Sequence, residues 1–547
     1  MPAVPATLHS WRAGTAALLV LVACSGAKLS APLVVGDSTT AAGPPPPVLV
    51  ELAFRDVTTW AGLDGLLAPR GVATVDLDRD GDADVVVSLT TESRIYLNRG
   101  DGSFVRGQTL AHPEAITAAP YVLDIDADGH RDVLIVTASG GFIARGQGGG
   151  TFAEDDARLV LPVPGGLIQT ATFADFDRRG RFDLVLGAFA SAKGRARLRQ
   201  VIAGPPAGCD VPYTRLFGDT TANSTFLRYA GAGAAFEERA SETRIDTNGY
   251  QTQVVAAVDI NGDALVDLLV GTENASKDQV WLNRGDGTFR EAAEELGMTR
   301  KTSAMGYYAF DLDEDLDLDL FVSDDNPTDG GVLYVQVAPG RFEERATERG
   351  LGDTSVFSAW GVAFEDFDHD TDLDAFMANG LPCSAGAQVR TYFPGKDMRS
   401  FSRLQPPPGS GLEAVTIARG AAFADLDGDG DLDVVVSSED VPLQVLRNEL
   451  GGAGHWLRFD LRHPSLDPPV GAVLTVAVGG RLLRRWVQGT ASYGGSSSPE
   501  VHVGLGASTA IEAVQIQWPH GETQTLTPAG IDRVIRVDFQ PDAAPNR

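Results

Sequence analysis

A nine-residue acidic pattern, Asp-x-Asp-x-Asp-Gly-x-x-Asp, recurs along the chain and constrains its fold more than any other feature. Most neighbouring copies are roughly fifty residues apart, a period typical of solenoids, propellers and other arrays of one repeated unit. The chain has 547 residues, so the copies organise most of it. They begin at Asp76, Asp124, Asp175, Asp259, Asp311, Asp366 and Asp425.

The spacing of the aspartates predicts a Ca²⁺ site in six of the seven copies. Ca²⁺ takes about six to eight oxygen ligands, and alternate residues of a tight turn direct their carboxylates at one centre. Glycine at position six, as at Gly430, permits the left-handed backbone of such a turn. Positions one, three, five and nine supply side-chain oxygens, and position seven supplies a carbonyl. The expected ligands are Asp76, Asp78, Asp80, Asp82 and Asp84; Asp124, Asp126, Asp128, His130 and Asp132; Asp259, Asn261, Asp263, Leu265 and Asp267; Asp311, Asp313, Asp315, Asp317 and Asp319; Asp366, Asp368, Asp370, Asp372 and Asp374; and Asp425, Asp427, Asp429, Asp431 and Asp433.

The third copy departs from this pattern. It reads DFDRRGRFD, with Arg179 at position five and Arg181 at position seven. Guanidinium charge therefore lies where a cation would bind. We expect no Ca²⁺ in this loop.

The segments around the loops predict an all-β fold. Short β-branched and apolar runs follow most copies, such as VVVSL after Asp84 and VVVSS after Asp433, and read as buried strands. Each loop is therefore expected to join two strands of a hairpin. An EF-hand would need a Glu at position twelve and helices on both sides, and the sequence has neither.

A lone phenylalanine after a turn marks a further strand in most repeats. One such strand, around Phe54, precedes the first loop, and none follows the last. This offset predicts a closed ring in which the Phe54 strand completes the repeat begun at Asp425 and protects the sheet edges. We predict a seven-bladed β-propeller over residues 51–450, with an insertion in the third blade near residues 190–222. The recurring phenylalanines are Phe104, Phe152, Phe236, Phe289, Phe342 and, more loosely, Phe401.

These loops and strands resemble the FG-GAP/VCBS repeat family, whose relatives include the propeller of integrin α subunits. The resemblance covers about residues 51–450. It implies the propeller fold and calcium in the loops. It does not imply one function, because the family includes adhesins, binding proteins and accessory domains of enzymes.

The period stops near residue 450, and residues 452–540 read as a small β-domain of short strands between Gly and Pro turns. This segment resembles the ASPIC/UnbV module, which follows such repeats in the cartilage acidic protein family. One departure is His520 between Pro519 and Gly521, where Ser or Asp is common in the family. The resemblance rests on His455, Trp456, Leu457, Gly471, Ala472, Ser492, Tyr493, Gly504, Leu505, Gly506, Trp518, Pro519 and Gly521.

The first residues have the layout of an export signal. Arg12 precedes an apolar run from Ala16 to Ala23 that is too short to span a membrane permanently, and Cys24 follows it. The run before Cys24 resembles a bacterial lipobox, which implies cleavage after residue 23 and a lipidated Cys24; an ordinary signal peptide is the alternative. Residues 24–50, which include four consecutive prolines, read as an extended tether. We expect a bacterial lipoprotein at the outer membrane or cell surface, held to the membrane only by its lipid.

Two further cysteines, Cys209 and Cys383, are expected in loops of non-neighbouring blades, and in an oxidising compartment they could pair or stay apart. The formal net charge of −30 excludes nucleic acid as a natural partner. The triplets Arg99-Gly100-Asp101 and Arg284-Gly285-Asp286 match the integrin ligand, but both lie in an NRGDG turn whose geometry itself demands Gly and Asp.

The leading functional hypothesis is a non-enzymatic, monomeric, calcium-binding protein that acts as a binding or adhesion module for a carbohydrate or protein ligand. The alternative is a calcium-dependent polysaccharide lyase or hydrolase on the same scaffold. A concave site holding paired carboxylates, or a Lys, Arg or Tyr group, outside the acidic loops would favour the enzyme. A third hypothesis is a partner subunit of an oxidase or export machine.

Overall fold

The computed structural model describes residues 54–541, except residues 113, 115, 154–157, 162–165, 192–222, 232–235, 248–249, 274–275, 326–329, 353–357, 381–390, 394, 397–399, 404–409, 450–453 and 490–491. The predicted lipidation at Cys24, nearly all of the predicted insertion near residues 190–222, and both Cys209 and Cys383, whose pairing the sequence left open, lie outside this set. The described helices are single turns, so none is long enough to cross a membrane. They are α1 (Thr58–Ala61), α2 (Ala240–Thr243) and α3 (Ala293–Leu296).

Small antiparallel sheets build the part of the chain that contains the acidic loops, with one sheet for each loop. The first strand of each sheet is called its inner strand below. The strands of the first three sheets are β2 (Gly71–Val75), β3 (Asp84–Ser88), β4 (Glu92–Asn98) and β5 (Phe104–Ala111); β6 (Tyr121–Leu123), β7 (Asp132–Thr137), β8 (Gly140–Ala144) and β9 (Leu159–Val160); and β10 (Leu167–Ala174), β11 (Asp183–Ala190), β12 (Thr225–Tyr229) and β13 (Phe236–Glu238).

The next three sheets repeat this order, and two carry an additional two-stranded pair. They contain β14 (Thr252–Val258), β15 (Asp267–Thr272), β17 (Gln279–Asn283) and β18 (Phe289–Glu291), with the pair β16 (Ser276–Lys277) and β19 (Lys301–Thr302); β20 (Ala304–Phe310), β21 (Asp319–Asp324), β22 (Val332–Ala338) and β23 (Arg341–Glu344); and β24 (Ala359–Glu365), β25 (Asp374–Asn379) and β26 (Thr391–Phe393), with the pair β27 (Gly395–Lys396) and β28 (Ser400–Phe401).

The last sheet of the series is completed from the other end of the chain. It contains β29 (Ala418–Ala424), β30 (Asp433–Ser438) and β31 (Gln444–Asn448), and β1 (Phe54–Asp56) pairs antiparallel with β31. Phe54 lies opposite Asn448, and its ring packs edge-on against Phe367 and Phe376. The strand at Phe54 thus completes the repeat begun at Asp425, as predicted.

The sheets contact one another in a closed cycle. Strand β2 contacts β6, β7 contacts β10, and the inner strands β10, β14, β20, β24 and β29 contact one another in turn, before β29 returns to β2. This order is that of the blades of a β-propeller. The all-β prediction is confirmed.

Buried apolar runs explain why the second strand of each sheet forms. In β3 and β30, for example, every residue is buried, so both faces of the strand pack against neighbouring sheets. Most of the recurring phenylalanines begin or lie in an outer strand. Phe152 does not, because it forms only an isolated bridge with Gly146 while β9 supplies the outer strand of its sheet.

Residues 455–541, called the terminal module below, form a small β-domain with its own core. Its two sheets have the strand orders β36-β32-β39 and β34-β33-β37-β38, and Trp518 is fully buried between them. The strands are β32 (His455–Arg462), β33 (Val473–Val478), β34 (Arg481–Trp486), β36 (Val501–Gly506), β37 (Ala513–Gln517), β38 (Thr523–Leu526) and β39 (Arg533–Asp538).

One segment of the terminal module leaves its sheets and enters the centre of the ring. We call residues 492–498, which lie between β34 and β36, the plug segment. It includes β35 (Gly495–Ser496), which pairs in parallel with the inner strand β2. The amide of Tyr493 donates to the carbonyl of Met305 on β20 at 2.9 Å, and the amide of Ser498 donates to the carbonyl of Phe423 on β29 at 3.2 Å.

Candidate metal sites in the acidic loops

Each acidic loop connects an inner strand to the second strand of its sheet. Position one directly follows the inner strand, and position nine is the first residue of the next strand, as for Asp76 after β2 and Asp84 at the start of β3. The backbone of the sheet therefore sets the distance between these two carboxylates. The loop between them folds over the end of the hairpin.

The aspartate at position nine ties three strands together. Asp84 is buried, and its carboxylate accepts the backbone N–H of Leu77 at 2.9 Å and that of Asn98, on the third strand, at 2.8 Å. These bonds hold the carboxylate in place without a metal. The same two kinds of bond form at Asp267, Asp319 and Asp433, and at Asp132 the second N–H belongs to Gly146, just after the third strand.

The aspartate at position one shapes the turn. Asp76 accepts the N–H of Asp80 at 3.1 Å and that of Gly81 at 3.2 Å. These bonds stabilise a backbone in which positions four and six both have positive φ in every loop, whereas the sequence indicated only position six. Such a conformation costs a side chain about 1–2 kcal/mol. Three loops nonetheless place Ala264, Leu316 and Thr371 at position six.

The folded loops bring several predicted ligands together. In the first, second, fifth and sixth loops, three side chains each place one oxygen so that the three oxygens lie within 4.8 Å of one another. The predicted ligands at position five are mostly exposed at the tip of the turn, among them Asp80, Asp128 and Asp429. The clustered sets are Asp76, Asp78 and Asp84; Asp124, Asp126 and Asp132; Asp311, Asp313 and Asp315; and Asp366, Asp368 and Asp374.

Buried carboxylate oxygens without a hydrogen-bond partner indicate whether the side chains of these loops suit a cation. The Oδ1 atoms of Asp126, Asp311, Asp317 and Asp427 are buried and have no hydrogen-bond partner among the described residues. A buried polar atom without a partner costs free energy, and a buried charge costs more. A hard divalent cation would satisfy these oxygens, so the donor set fits one.

The electrostatics agree with this geometry. Burial raises the pKa of the Asp84 carboxyl to about 8 and that of Asp132 to about 7, and the neighbouring aspartates of each loop add to the increase. A divalent cation would favour the ionised carboxylates and oppose this shift. Burying and crowding these carboxylates therefore costs folding free energy when no cation is bound.

In the third loop a guanidinium lies among the carboxylates. Nε of Arg179 lies 2.6 Å from Oδ1 and 2.5 Å from Oδ2 of Asp177, and Nη2 lies 3.0 Å from Oδ1 of Asp183. Oxygens of Asp175, Asp177 and Asp183 cluster as closely as those of the other loops. Arg179 therefore supplies positive charge there, together with Arg228, whose Nη2 lies 2.9 Å from Oδ2 of Asp177. The absence of Ca²⁺ from this loop stays a prediction.

The two RGD triplets lie in turns that use their aspartate. Oδ1 of Asp101 accepts the N–H of Ser103 at 3.0 Å and its hydroxyl at 2.6 Å. Asp286 makes the same two bonds with Thr288, at 2.9 and 2.6 Å. The carboxylates stabilise the turns, as expected if turn geometry explains the Asp of each triplet.

A cavity of about 80 Å³ lies between the ring and the terminal module, outside the acidic loops. Tyr308, Glu365, Arg485 and His502 line it, and the hydroxyl of Tyr308 donates to Glu365. Ligand pockets are typically about 300–1,000 Å³, so this cavity is smaller than a typical ligand pocket. Its lining contains the side-chain types named for the enzyme hypothesis.

The sequence did not predict that the terminal module contacts the acidic loops. Side chains of the terminal module contact several of them, as in the ion pair of 2.7 Å between Nη1 of Arg458 and Oδ2 of Asp425. These partners come from non-repeating sequence, where no period signals a contact. His520, the departure from the module's usual pattern, was the one available hint, and its Nε2 lies 2.8 Å from Oδ2 of Asp175.

A thermal unfolding experiment distinguishes the role of position three in binding metal from the role of position nine in accepting backbone N–H groups. For the unmutated protein we expect Ca²⁺ to raise the midpoint, because a ligand that binds only the native state stabilises it by about 2.7 kcal/mol at a hundredfold excess over Kd. Asp126→Ala should reduce this increment and change little in EGTA. Asp132→Ala should lower the midpoint in both conditions, because two backbone donors lose their acceptor. An unmutated midpoint that Ca²⁺ does not move would refute the metal sites.

The third loop gives a gain-of-function test. Arg179→Asp restores the acidic residue at position five and removes the guanidinium that pairs with Asp177 and Asp183. We expect one additional Ca²⁺ per chain, measured by isothermal titration calorimetry. Arg179→Lys, which keeps the positive charge, is the matched control and should leave the number unchanged. Equal stoichiometry for both variants would contradict the assigned role of Arg179.

The acidic-loop repeats and the terminal module each match a known protein family. The FG-GAP-like repeat model matches residues 76–135, 124–186 and 259–322, and the model named ASPIC and UnbV matches residues 464–544. Cartilage acidic protein 1 of Homo sapiens is 27% identical over 271 residues, which cover 48% of this chain and 40% of that protein. Its Xenopus tropicalis counterpart is 26% identical over 297 residues, covering 52% and 44%. The matched part of the chain thus spans less than half the length of these curated relatives.

Among solved structures, the chain is similar to an Agrocybe aegerita lectin described as recognising non-reducing terminal N-acetylglucosamine. The identity is 15% and the TM-score 0.42, over 69% of this chain and 93% of the lectin.

Proposed function

We propose that this chain, which carries FG-GAP-like repeats and an ASPIC/UnbV domain and is homologous to cartilage acidic protein 1, is a calcium-stabilised binding module for a carbohydrate or protein ligand. The observation that carries the proposal is the clustering of carboxylate oxygens within 4.8 Å at the ends of successive hairpins. Repeated sites of this kind suit a scaffold, because each one stabilises a single hairpin of the ring. Recognition would then use the surfaces that the hairpins hold in place.

The donor set favours Ca²⁺ over other common metals. The clustered ligands are carboxylates, whereas zinc sites use His and Cys ligands as well. Mg²⁺ demands a nearly ideal octahedron and usually keeps several waters, while Ca²⁺ accepts six to eight oxygens in flexible geometry. Loops that differ at positions four to eight, as these do, suit the less demanding ion.

The terminal module restricts where a ligand could bind. The plug segment occupies the centre of the ring, and the module contacts acidic loops such as the one at Asp425. We therefore place the ligand on the opposite ends of the sheets, where the second strand connects to the third, or on the outer strands. Connecting loops held by a rigid scaffold commonly carry recognition.

An array of glycans and extracellular proteins, probed with the full chain in Ca²⁺ and again in EGTA, tests the ligand. We expect Ca²⁺-dependent retention on one class of ligand, since an ordered ring presents the connecting loops in one arrangement. Asp126→Ala should weaken the retention, and Asp101→Ala, in an exposed turn, is the matched control. Depolymerisation of a retained polysaccharide would instead support the lyase or hydrolase.

We also propose export with lipid attachment at Cys24, supported by the apolar run that precedes this residue. In a Gram-negative host, the unmutated chain should incorporate a labelled fatty acid and fractionate with membranes. Cys24→Ser should abolish both, because it removes the only proposed acceptor. Cys209→Ser is the control and should retain the label. Equal labelling of the two variants would contradict the assignment.

A further inference from the structure

The terminal module meets the ring through a pattern of complementary charge that differs from loop to loop. The fifth, sixth and seventh loops each contain five aspartates and no arginine, and arginines of the module face them. Arg458 pairs with Asp425 of the seventh loop at 2.7 Å, and the two side chains are 9% and 1% exposed. Arg481 spans two loops, with Nε 3.0 Å from Oε2 of Glu314 in the fifth and Nη2 3.2 Å from Oδ1 of Asp372 in the sixth.

The polarity reverses at the first and second loops. These loops carry arginines of their own, Arg79 at position four of the first and Arg131 at position eight of the second. Both pair with Asp467 of the module, and Nη2 of Arg131 lies 3.2 Å from Oδ1 of that residue. The module thus presents acid where a loop carries an arginine, and arginine where a loop carries carboxylates without an arginine of its own.

The plug segment adds contacts that need close backbone approach. The carbonyl of Gly494 accepts the N–H of Val72 on β2 at 3.0 Å. A Cβ atom on Gly495 would lie 2.0 Å from the carbonyl oxygen of Ala421, and one on Gly420 would lie 2.0 Å from that of Gly494. Since real Cβ atoms do not approach so closely, these positions require glycine for the plug to seat.

We infer that docking of the terminal module is coupled to metal binding in the acidic loops, so that loss of the metal releases the module and withdraws the plug from the ring. The inference rests on the proposed metal binding. The module contacts carboxylates of the same loops, and Oδ2 of Asp425 accepts both Arg458 and the N–H of Gly430. Only loops held in one shape can offer all of these contacts together.

The charge balance allows the metal and the arginines to act together. One divalent cation in a loop with five aspartates leaves three uncompensated negative charges, so the arginine remains attracted. Without the cation, the crowded carboxylates repel one another, and this repulsion acts on a turn that is already strained by positive φ at Leu316 or Thr371. The metal therefore favours the docked state.

Hydrogen exchange of the full chain, read by mass spectrometry, tests the coupling. The amides of Tyr493 and Ser498 are protected in the docked state by Met305 and Phe423. On chelation with EGTA we expect peptides covering residues 492–498 to exchange at least about tenfold faster, while peptides of β30 stay protected, as in a local opening. If exchange accelerates equally in residues 492–498 and in β30, the inference is overturned, because the ring then unfolds together with the module.

A substitution that displaces the plug segment tests whether docking, in turn, strengthens metal binding. If metal favours docking, docking must favour metal by the same factor, typically about 5- to 150-fold. Gly495→Val should accelerate exchange at residues 492–498 in Ca²⁺ and weaken Ca²⁺ binding in calorimetry. Gly107→Val, whose Cβ would meet its nearest atoms at 3.6 Å, is the matched control. Unchanged Ca²⁺ affinity with an evicted plug would overturn the coupling.

The two proposals fail in different ways. If calorimetry detects no Ca²⁺ binding to the unmutated chain, the proposed metal sites are wrong and the coupling falls with them. If Ca²⁺ binds and EGTA removes it while residues 492–498 keep their protection, the metal sites stand and only the coupling is wrong.

Discussion

A buried carboxylate at the start of each second strand is the interaction on which the rest of the ring depends. In the first sheet, Asp84 accepts one N–H from the loop before it and one from the third strand, so one side chain fixes two connections. The fold must bury this charge to form the sheet. It thereby creates the demand for a cation, which the other aspartates of the loop are placed to meet.

That demand is met in different ways around the ring. In the third loop Arg179 stands among the carboxylates. In the seventh, Arg458 of the terminal module pairs with Asp425 while Oδ1 of Asp427 is left for a metal, and in the second Oδ1 of Asp126 is left for a metal. Because the loops share a backbone shape but not a charge, a nearly symmetric ring acquires one preferred orientation for the module that sits on it. The arginines and Asp467 select this orientation, and the plug segment fixes its depth.

The repeat made the ring predictable from sequence. Every copy combines an acidic turn with a buried strand such as β3 or β30, and the phenylalanine that precedes the first copy reveals how the ring closes. Local details were less accessible. Positive φ at position four, where Arg79 and His369 lie, follows from hydrogen bonds to the first aspartate rather than from residue preference. Docking of the module was not predictable, because pairs such as Arg131 with Asp467 join distant segments of sequence without any period.

The pairing of β1 with β31 also orders events during synthesis. Phe54 to Asp56 are made before any acidic loop, yet the strand beside which they lie is made after the last one. The nascent chain can form hairpins one at a time but cannot close into a ring until β31, which ends at Asn448, has been made. The short strand at Phe54 therefore has no partner strand until the last sheet of the ring has been synthesised.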